Sequence, residues 1–286
     1  MSKGVFLFAQ NNHTIDYVKQ AIFCAKKIKK HLKVEVALAT DNVEYLKKTY
    51  PYYSKYIDHV IPLEWQECHQ TRLYFDGAMS KRGLEWRNFD RCKVYDLTPF
   101  DETLVIDTDF IIGNSVLGNV FKSQEEFLIC KDVKDLNFDR PGKEMFDYIS
   151  DRSIDMYWAT VFYFKKTERM KIFFDLVSHI KENWKYYRLI YQIPQVKYRN
   201  DFSFSIAIHL LNGRQRSTWP KQVPGNIWLT TDLDILEKMD DEKYVFLLEK
   251  KNWVGHYTLN SIENANIHIM NKFSLDRAIT EVLENE

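Results

Sequence analysis

The first sixty residues alternate apolar runs of strand length with segments of helical spacing. Residues 4–9 form a short apolar run, and residues 16–31 follow with apolar side chains near every third or fourth position. The same order recurs in predicted segments at 34–39 (strand), 43–50 (helix, ending before Pro51) and 58–62 (strand). This alternation predicts an α/β fold in which a mostly parallel sheet is covered by helices.

The remainder of the chain continues this pattern less regularly. Residues 64–86 carry two glycines and many charges, which predicts a loop or lid, and residues 249–270 also read as irregular. Further predicted elements are helices at 87–97, 168–184, 202–211 and from 274 onwards, and strands at 103–106, 127–130, 156–164 and 244–248. Since no Pro/Gly/Ser-rich linker or internal repeat interrupts the chain, a single domain over residues 1–286 is predicted.

Charge and cysteine content narrow the function. Forty basic and forty acidic side chains give no formal net charge, so a partner held mainly through nucleic-acid phosphates is not indicated. The four cysteines (Cys24, Cys68, Cys92 and Cys130) form no Cys-x-x-Cys pair, which favours free thiols over a zinc cluster or a disulfide framework. With no apolar stretch of membrane-spanning length and no leader pattern, a cytoplasmic protein is predicted.

The segment Leu104–Ile112 contains the most specific chemical pattern. It places Asp107 and Asp109 between two apolar runs, at the end of a predicted strand. Two carboxylates at the boundary of a core are costly unless a cation binds them. Mg²⁺ and Mn²⁺ prefer carboxylate oxygens and share their remaining positions with substrate phosphates. The alternative is a solvated turn in which each aspartate caps backbone N–H groups.

With this segment, the chain resembles the GT-A glycosyltransferases, especially the branch of glycogenin and the bacterial lipopolysaccharide galactosyl- and glucosyltransferases. The resemblance runs from about Arg87 to Gly113, where a basic helix, a short acidic turn and the apolar strand into Asp-x-Asp occur in family order. It implies a Rossmann-like GT-A fold that uses Mn²⁺ or Mg²⁺. Residues 1–113 would form the nucleotide-binding half, and residues 114–286 the sugar and acceptor half with a C-terminal metal-binding segment.

The resemblance also implies roles for individual residues. The nucleotide would lie on the tips of the first two strands, and Arg91 and Thr108 would contact the donor. The strand-tip residues are Gln10, Asn11, Asn12, Thr40 and Asp41. The first three also fit a simpler interpretation, in which they end a strand and cap the next helix. Arg91 could equally be a solvated helix charge.

In the C-terminal half, the family's third metal ligand is a histidine that is followed by a lysine on the diphosphate. His268 and Lys272 match this element, and His256 is the second choice for the histidine. Asp201 occupies the place of an acidic residue near the anomeric carbon, as a sugar ligand or catalytic group, although it could instead be the N-cap of the following helix. Asp132 would be a sugar contact by the same logic.

Two departures from the family pattern weaken any transfer of substrate identity. Phe202 stands where an amide is expected after Asp201, and residues 158–161 (WATV) stand where the family has Asn-x-Gly-Val. The bulkier side chains would change which sugar or acceptor fits the site.

The predicted function is transfer of a sugar from a nucleoside diphosphate sugar, UDP-linked, to an acceptor hydroxyl with retention of configuration. Retention is favoured because no carboxylate is clearly placed as the general base that inversion requires. The acceptor could be a saccharide, a glycan, a protein or a modified nucleobase. Two alternatives are a non-catalytic sugar-nucleotide or carbohydrate-binding protein and a sugar-1-phosphate nucleotidyltransferase. The latter needs a glycine-rich basic loop after the first strand, which residues 9–13 lack.

Overall fold

The computed structural model describes residues 1–65, 67, 70–87, 90–138, 140, 147–150, 154–250 and 254–284. Its strands are β1 (Lys3–Ala9), β2 (Glu35–Thr40), β3 (His59–Pro62), β4 (Thr71–Phe75), β5 (Lys81–Glu85), β6 (Glu102–Ile106), β7 (Phe110–Ile111), β8 (Phe127–Cys130), β9 (Val133–Asp135), β10 (Trp158–Lys165), β11 (Lys221–Gln222), β12 (Ile227–Thr230), β13 (Ile235–Asp240), β14 (Lys243–Glu249), β15 (Tyr257–Glu263) and β16 (Asn266–Ile269). Its α-helices are α1 (Tyr17–His31), α2 (Val43–Thr49), α3 (Val94–Leu97), α4 (Glu168–Glu182), α5 (Trp184–Ile190), α6 (Asn200–Leu211) and α7 (Lys272–Glu284).

A seven-stranded sheet in the order β11-β8-β10-β6-β1-β2-β3 forms the centre of the molecule. Strands β6, β1, β2 and β3 are parallel, whereas β10 runs antiparallel to β6 and to β8. The register pairs Leu7 with Ile106, so the chain leaves β1 and β6 at the same edge of the sheet. The predicted α/β fold with a mostly parallel sheet is therefore confirmed, and Asp107 lies at the edge where such sheets place their ligand sites.

A second sheet, in the order β7-β16-β12-β9, carries the C-terminal segment back to this edge. Strand β16 pairs antiparallel with β7, with His268 opposite Phe110. The backbone N–H of Ile269 donates to the carbonyl oxygen of Asp109 at 3.0 Å. The expectation of an irregular segment over 249–270 was wrong, because β15 and β16 both lie within it. Strand pairing thus fixes His268 beside Asp109.

The expectation of a loop or lid over 64–86 was also wrong for its second half. Strands β4 and β5 form an antiparallel hairpin that pairs Thr71 with Glu85 and Phe75 with Lys81. The tip of the hairpin contacts the C-terminal part of the chain, where the backbone N–H of Ala78 donates to the Tyr257 hydroxyl at 2.8 Å. Asp76 forms an ion pair with Arg277 of α7 at 2.7 Å. The hairpin therefore has fixed partners at its tip.

Most helices follow the local signals in the sequence. Helix α1 begins after Asp16, whose side chain accepts from the backbone N–H of Lys19, and its last turn contains two lysines and a histidine. The helix predicted over 87–97 is shorter, with one 3₁₀ turn at Asp90–Lys93 followed by α3, and residues 88 and 89 lie outside the described part of the chain.

The sequence predicts free thiols and no membrane-spanning segment. Cys24, Cys92 and Cys130 are buried free thiols, and Cys68 lies outside the described residues. Within the described ranges, none of the helices is both long enough and apolar enough to cross a bilayer.

Candidate active site

A cleft of about 230 Å³ opens at the edge of the sheet where β1 and β6 end. Strands β1, β4, β10 and β16, the turn after β6 and the start of α6 all contribute to its wall. Its polar lining includes Gln10, Arg72, Arg87, Arg91, Asp107, Thr108, Asp109, Arg199, Asp201, Asp232, His268 and Lys272. Aromatic side chains such as Tyr17, Tyr74 and Trp86 complete the lining. The cleft thus combines several ionisable groups with apolar surface, as ligand sites in proteins commonly do.

Asp107, Asp109 and His268 converge in this cleft. One potential ligand atom from each residue lies within 4.8 Å of the others. Nε2 of His268 is 3.3 Å from Oδ1 of Asp109. Since β7 and β16 are paired directly beside these residues, the three side chains are held by backbone hydrogen bonds as well as by side-chain packing.

Two cations contact the aspartates. Lys272, the first residue of α7, donates to Oδ2 of Asp109. Burial lowers the pKa of Lys272 to about 7, and the contact with the Asp109 carboxylate acts in the opposite direction. Arg91 contacts Oδ1 of Asp107 and the carbonyl oxygen of Ala159, and burial lowers its pKa to about 10. Both aspartates are therefore charge-balanced by side chains of the chain itself.

The three converging residues fit a divalent cation. Oδ1 of Asp109 and Nδ1 of His268 are buried, and neither atom has a hydrogen-bond partner among the described residues. Burial lowers the pKa of His268 to about 4, so the imidazole is neutral and has a lone pair to offer a metal. Two carboxylates and one imidazole are ligands that Mn²⁺ accepts, and Mg²⁺ accepts the carboxylates.

The second-choice histidine is elsewhere. His256 is exposed, immediately before β15, and is not part of the cleft wall. Its backbone carbonyl accepts from Lys250 at 2.8 Å, which closes the turn between β14 and β15. Of the two candidate histidines, only His268 lies beside the aspartates.

Asp201 also lines the cleft, but not as the helix cap that the alternative interpretation required. The N-cap of α6 is Arg199, and Asp201 is the second residue of the helix. One of its oxygens accepts from the backbone N–H of Ala159 at 2.9 Å, and the other from Nη2 of Arg199 at 2.7 Å. The N-cap interpretation was wrong, and Asp201 instead links α6 to β10.

The tip of β1 contributes less to the cleft than the resemblance implies. Gln10 lines it, whereas the side chains of Asn11 and Asn12 organise the start of α1. Oδ1 of Asn11 accepts from the backbone N–H of Val18 at 2.9 Å. Oδ1 of Asn12 accepts from the N–H of Ile15 at 2.7 Å. For these two asparagines, the capping interpretation describes their contacts.

The tip of β2 and Asp132, two residues after the end of β8, lie outside the cleft wall as well. The hydroxyl of Thr40 accepts from the backbone N–H of Asn42 at 3.0 Å. Asp41 forms a buried ion pair with Arg87, whose Nη2 lies 2.8 Å from Oδ2. Asp132 is exposed. Direct contact of Thr40, Asp41 or Asp132 with a ligand in the cleft is therefore not supported by this geometry.

Several residues that the sequence did not suggest line the cleft. They are Arg72, Tyr74, Trp86, Arg199 and Asp232. Burial and the neighbouring Asp234 raise the pKa of Asp232, while its carboxylate accepts from the backbone N–H of Phe75. The sequence offered one usable signal, which is that Arg199 lies two positions before Asp201 at a helix start. The others reach the cleft only through the hairpin and the turn after β12.

No protein-family model and no curated protein matches the sequence. Solved structures do resemble the fold. The galactosyltransferase LgtC, in complex with donor and acceptor sugar analogs, is 14% identical, with 79% of this chain and 72% of that chain covered and a TM-score of 0.45. Mouse xyloside xylosyltransferase 1 is 10% identical, with 75% and 83% covered and a TM-score of 0.44. GlyE of Streptococcus pneumoniae TIGR4 is 10% identical, with a TM-score of 0.39.

All three are glycosyltransferases. The match to GlyE covers 74% of this chain but 43% of that one, so this chain corresponds to less than half of the GlyE structure. These identities and TM-scores are too low to indicate a function, which has to be inferred from the side chains of the cleft.

Proposed function

We propose that this chain is a GT-A glycosyltransferase that transfers a sugar from a nucleoside diphosphate sugar, UDP-linked, to an acceptor hydroxyl with the help of Mn²⁺ or Mg²⁺. The observation that supports the proposal is the convergence of Asp107, Asp109 and His268 in the cleft, with Lys272 directly beside Asp109. This arrangement offers a cation and a diphosphate adjacent binding positions.

Asp107, Asp109 and His268 would hold the cation. When bound, it would neutralise the charge that develops on the diphosphate leaving group. Lys272 would then exchange its contact with Asp109 for one with a phosphate oxygen, since the cation takes over the charge of that carboxylate. Arg91 orients Asp107 through the contact between them and is itself fixed by the carbonyl of Ala159. Gln10 and Thr108 would contact the donor from the strand ends.

A single domain with two functional halves accords with this assignment. The cleft takes residues from the first half, such as Gln10 and Asp109, and from the second half, such as Asp201 and His268. Neither half contains a complete set of cation ligands, because Asp109 and His268 come from different halves. A donor would therefore bind only to the assembled domain, and the cytoplasmic location stays a prediction from the sequence.

The proposed stereochemical outcome is retention. Asp201 is held in the cleft wall by Arg199 and by the N–H of Ala159, and there it would bind the donor sugar. Asp232 is a second carboxylate in the cleft wall, with a pKa raised by burial, and it would be the candidate base if the reaction inverted. Following the anomeric proton of the first product by NMR distinguishes the two outcomes, since retention gives the configuration of the donor.

A thermal-shift screen of nucleotide sugars, with and without Mn²⁺, tests the proposal. Binding to the folded state raises the melting temperature, and a ligand at a hundred times its Kd adds about 2.7 kcal/mol to the free energy of unfolding. We expect one donor to stabilise the protein only when Mn²⁺ is present. Stabilisation by no nucleotide sugar contradicts the proposal, whereas binding without donor hydrolysis or transfer identifies a non-catalytic sugar-nucleotide-binding protein.

A further inference from the structure

Two arginines of the cleft wall lie close to each other. Arg72 is the second residue of β4, and Arg199 directly precedes α6. Nη2 of Arg72 donates to the carbonyl oxygen of Tyr198, the residue next to Arg199, at 2.7 Å. Both arginines line the cleft. The hairpin therefore brings a guanidinium to the start of α6.

The guanidinium group of Arg72 is held rigidly, but one of its N–H groups has no hydrogen-bond partner among the described residues. Its guanidinium carbon lies 3.5 Å from the centre of the Trp86 ring, which fixes the plane of the group. Its Nε is buried and has no hydrogen-bond partner within the described ranges. Burial lowers the pKa of Arg72 to about 10, and the positive charge of Arg199 acts in the same direction. A buried donor without an acceptor, next to a like charge, is costly unless an anion offsets it.

The carboxylates of the cleft do not offset this charge. Asp107 is engaged by Arg91, and Asp109 by Lys272. Asp201 is the acid nearest to the pair, and it bonds directly to Arg199. Asp232 accepts from the hairpin backbone, and the remaining arginine of the wall, Arg87, is paired with Asp41. The carboxylate of Asp201 is thus shared by the guanidinium groups of Arg72 and Arg199.

A bound donor would not change this balance. A nucleoside diphosphate sugar with a neutral sugar carries about two negative charges, and a divalent cation cancels them. The proposed cation ligands would hold that group beside Asp109 and Lys272. The pair formed by Arg72 and Arg199 therefore requires a further negative group on a substrate.

We propose that Arg72 and Arg199 form a subsite for an anionic group, a carboxylate or a phosphate, carried by one of the two saccharide substrates. This inference rests on the proposed function and specifies its substrate class. Guanidinium groups bind both anions through paired hydrogen bonds, and the Trp86 face keeps Arg72 in the orientation that such pairing needs. The anionic group belongs either to the donor sugar, as in a uronic acid, or to the acceptor.

Matched probes that differ only by the anionic group test the subsite. In the donor arm, UDP-glucuronic acid is compared with UDP-glucose in the presence of Mn²⁺. In the acceptor arm, glucuronic acid and glucose 6-phosphate are compared with glucose, without nucleotide. Calorimetric titration is done on the wild type and on Arg72→Gln, Arg72→Lys and Arg199→Gln, with melting temperatures to verify folding. Arg82→Gln is the control, because Arg82 lies exposed on β5 of the same hairpin and packs on Phe273.

We expect the wild type to bind the anionic probe of one arm about tenfold to a hundredfold more tightly than its neutral counterpart. Arg72→Gln and Arg199→Gln should abolish this preference, measured as the ratio of the two affinities, Arg72→Lys should keep part of it, and Arg82→Gln should keep all of it. The arm in which the preference occurs identifies the substrate that carries the anion.

Two results would overturn the subsite. One is equal binding of charged and neutral probes in both arms, and the other is a preference that survives both Gln substitutions. Failure of the proposed function looks different, because then no UDP-sugar binds with Mn²⁺ although the nucleotide-free arm can still show the preference. If Arg72→Gln unfolds the protein, Arg199→Gln and Arg72→Lys decide the outcome.

Discussion

The polar residues at the tips of β1 and β2 and those at the ends of β6 and β16 have similar sequence settings but different surroundings. Asn11 and Asn12 use their side chains to cap α1, and Asp41 is neutralised by Arg87. In contrast, Nε2 of His268 faces Oδ1 of Asp109 at 3.3 Å, and neither that oxygen nor Nδ1 of His268 has a hydrogen-bond partner among the described residues. The side chains of the two asparagines are bonded by the local backbone, whereas Asp109 and His268 each keep one atom without a hydrogen bond.

This difference separates structural polar residues from candidate ligands. Buried polar atoms in folded proteins nearly always find a partner, so an unsatisfied one has to be explained by a ligand, an ion or a water. A polar residue after a strand is therefore informative only when its local hydrogen bonds are known. The two regions should then differ in function as they do in contacts.

The largest effect on activity is expected from a substitution of Asp109, just after the end of β6. Asp109→Asn removes a charge from the proposed cation site, and we expect transfer or donor hydrolysis to fall about a thousandfold with the fold retained. Steady-state rates at fixed Mn²⁺ and circular dichroism measure the two properties. Asp175→Asn, in an exposed pair with Lys171 on α4, is the control and should leave the rate unchanged. A rate within tenfold of wild type would remove Asp109 from the site.

At the tip of β2, we expect a loss of stability and no change in the affinity for Mn²⁺. Asp41→Asn leaves the buried Arg87 without its carboxylate, which should lower the free energy of unfolding by about 3–5 kcal/mol. Urea titration measures this loss, and Asp175→Asn should change stability by less than about 0.5 kcal/mol. Mn²⁺ affinity of the folded variant should stay at the wild-type value. Weaker Mn²⁺ binding with full stability would place Asp41 in the functional region instead.

The two histidines provide a closer comparison within the C-terminal segment. His268→Asn should weaken Mn²⁺ binding about tenfold to a hundredfold, whereas His256→Asn should change it less than twofold. Electron paramagnetic resonance of free Mn²⁺ during a titration gives both affinities directly and does not depend on the donor. Equal losses in the two variants would be incompatible with the site described here.

The smallest effect is expected from Asn11→Ala. The substitution removes the acceptor for the N–H of Val18 at the start of α1, which should cost about 1 kcal/mol of stability. Donor affinity should be unaffected, because the backbone at this position is unchanged. A variant of wild-type stability that binds the donor poorly would show that Asn11 contacts the nucleotide, as the resemblance implies.

The sequence predicts the part of the site that local pattern determines. Asp107 and Asp109 follow a β-branched apolar strand, and this context is readable without any knowledge of tertiary structure. The elements of the first half could likewise be placed within a few residues, because strand and helix periodicities differ there. His268 and Lys272 were identified only by the resemblance, since β16 depends on pairing with β7 and not on its own four residues.

The β4–β5 hairpin shows why the rest of the site escaped prediction. Its strands, TRLYF and KRGLE, expose much of their surface and lack the apolar alternation that identifies a strand. Gly77 in its turn has φ +68°, and a side chain there would collide with the Tyr257 hydroxyl, so the turn is specified by a distant contact. In the sequence, therefore, nothing distinguishes Arg72 from an ordinary solvated charge. Only the folded hairpin brings it to Arg199.

The pairing of β7 with β16 also makes the candidate site a late product of protein synthesis. Asp109 and Lys272 are 163 positions apart, so Asp109 leaves the ribosome long before the residues that complete its surroundings. Contacts of such separation have to wait for the closure of a long loop. A nascent or shortened chain that ends before β16 has all seven strands of the central sheet but an incomplete candidate cation site. Binding of a donor would therefore indicate that the C-terminal segment has been synthesised and that β16 has paired with β7.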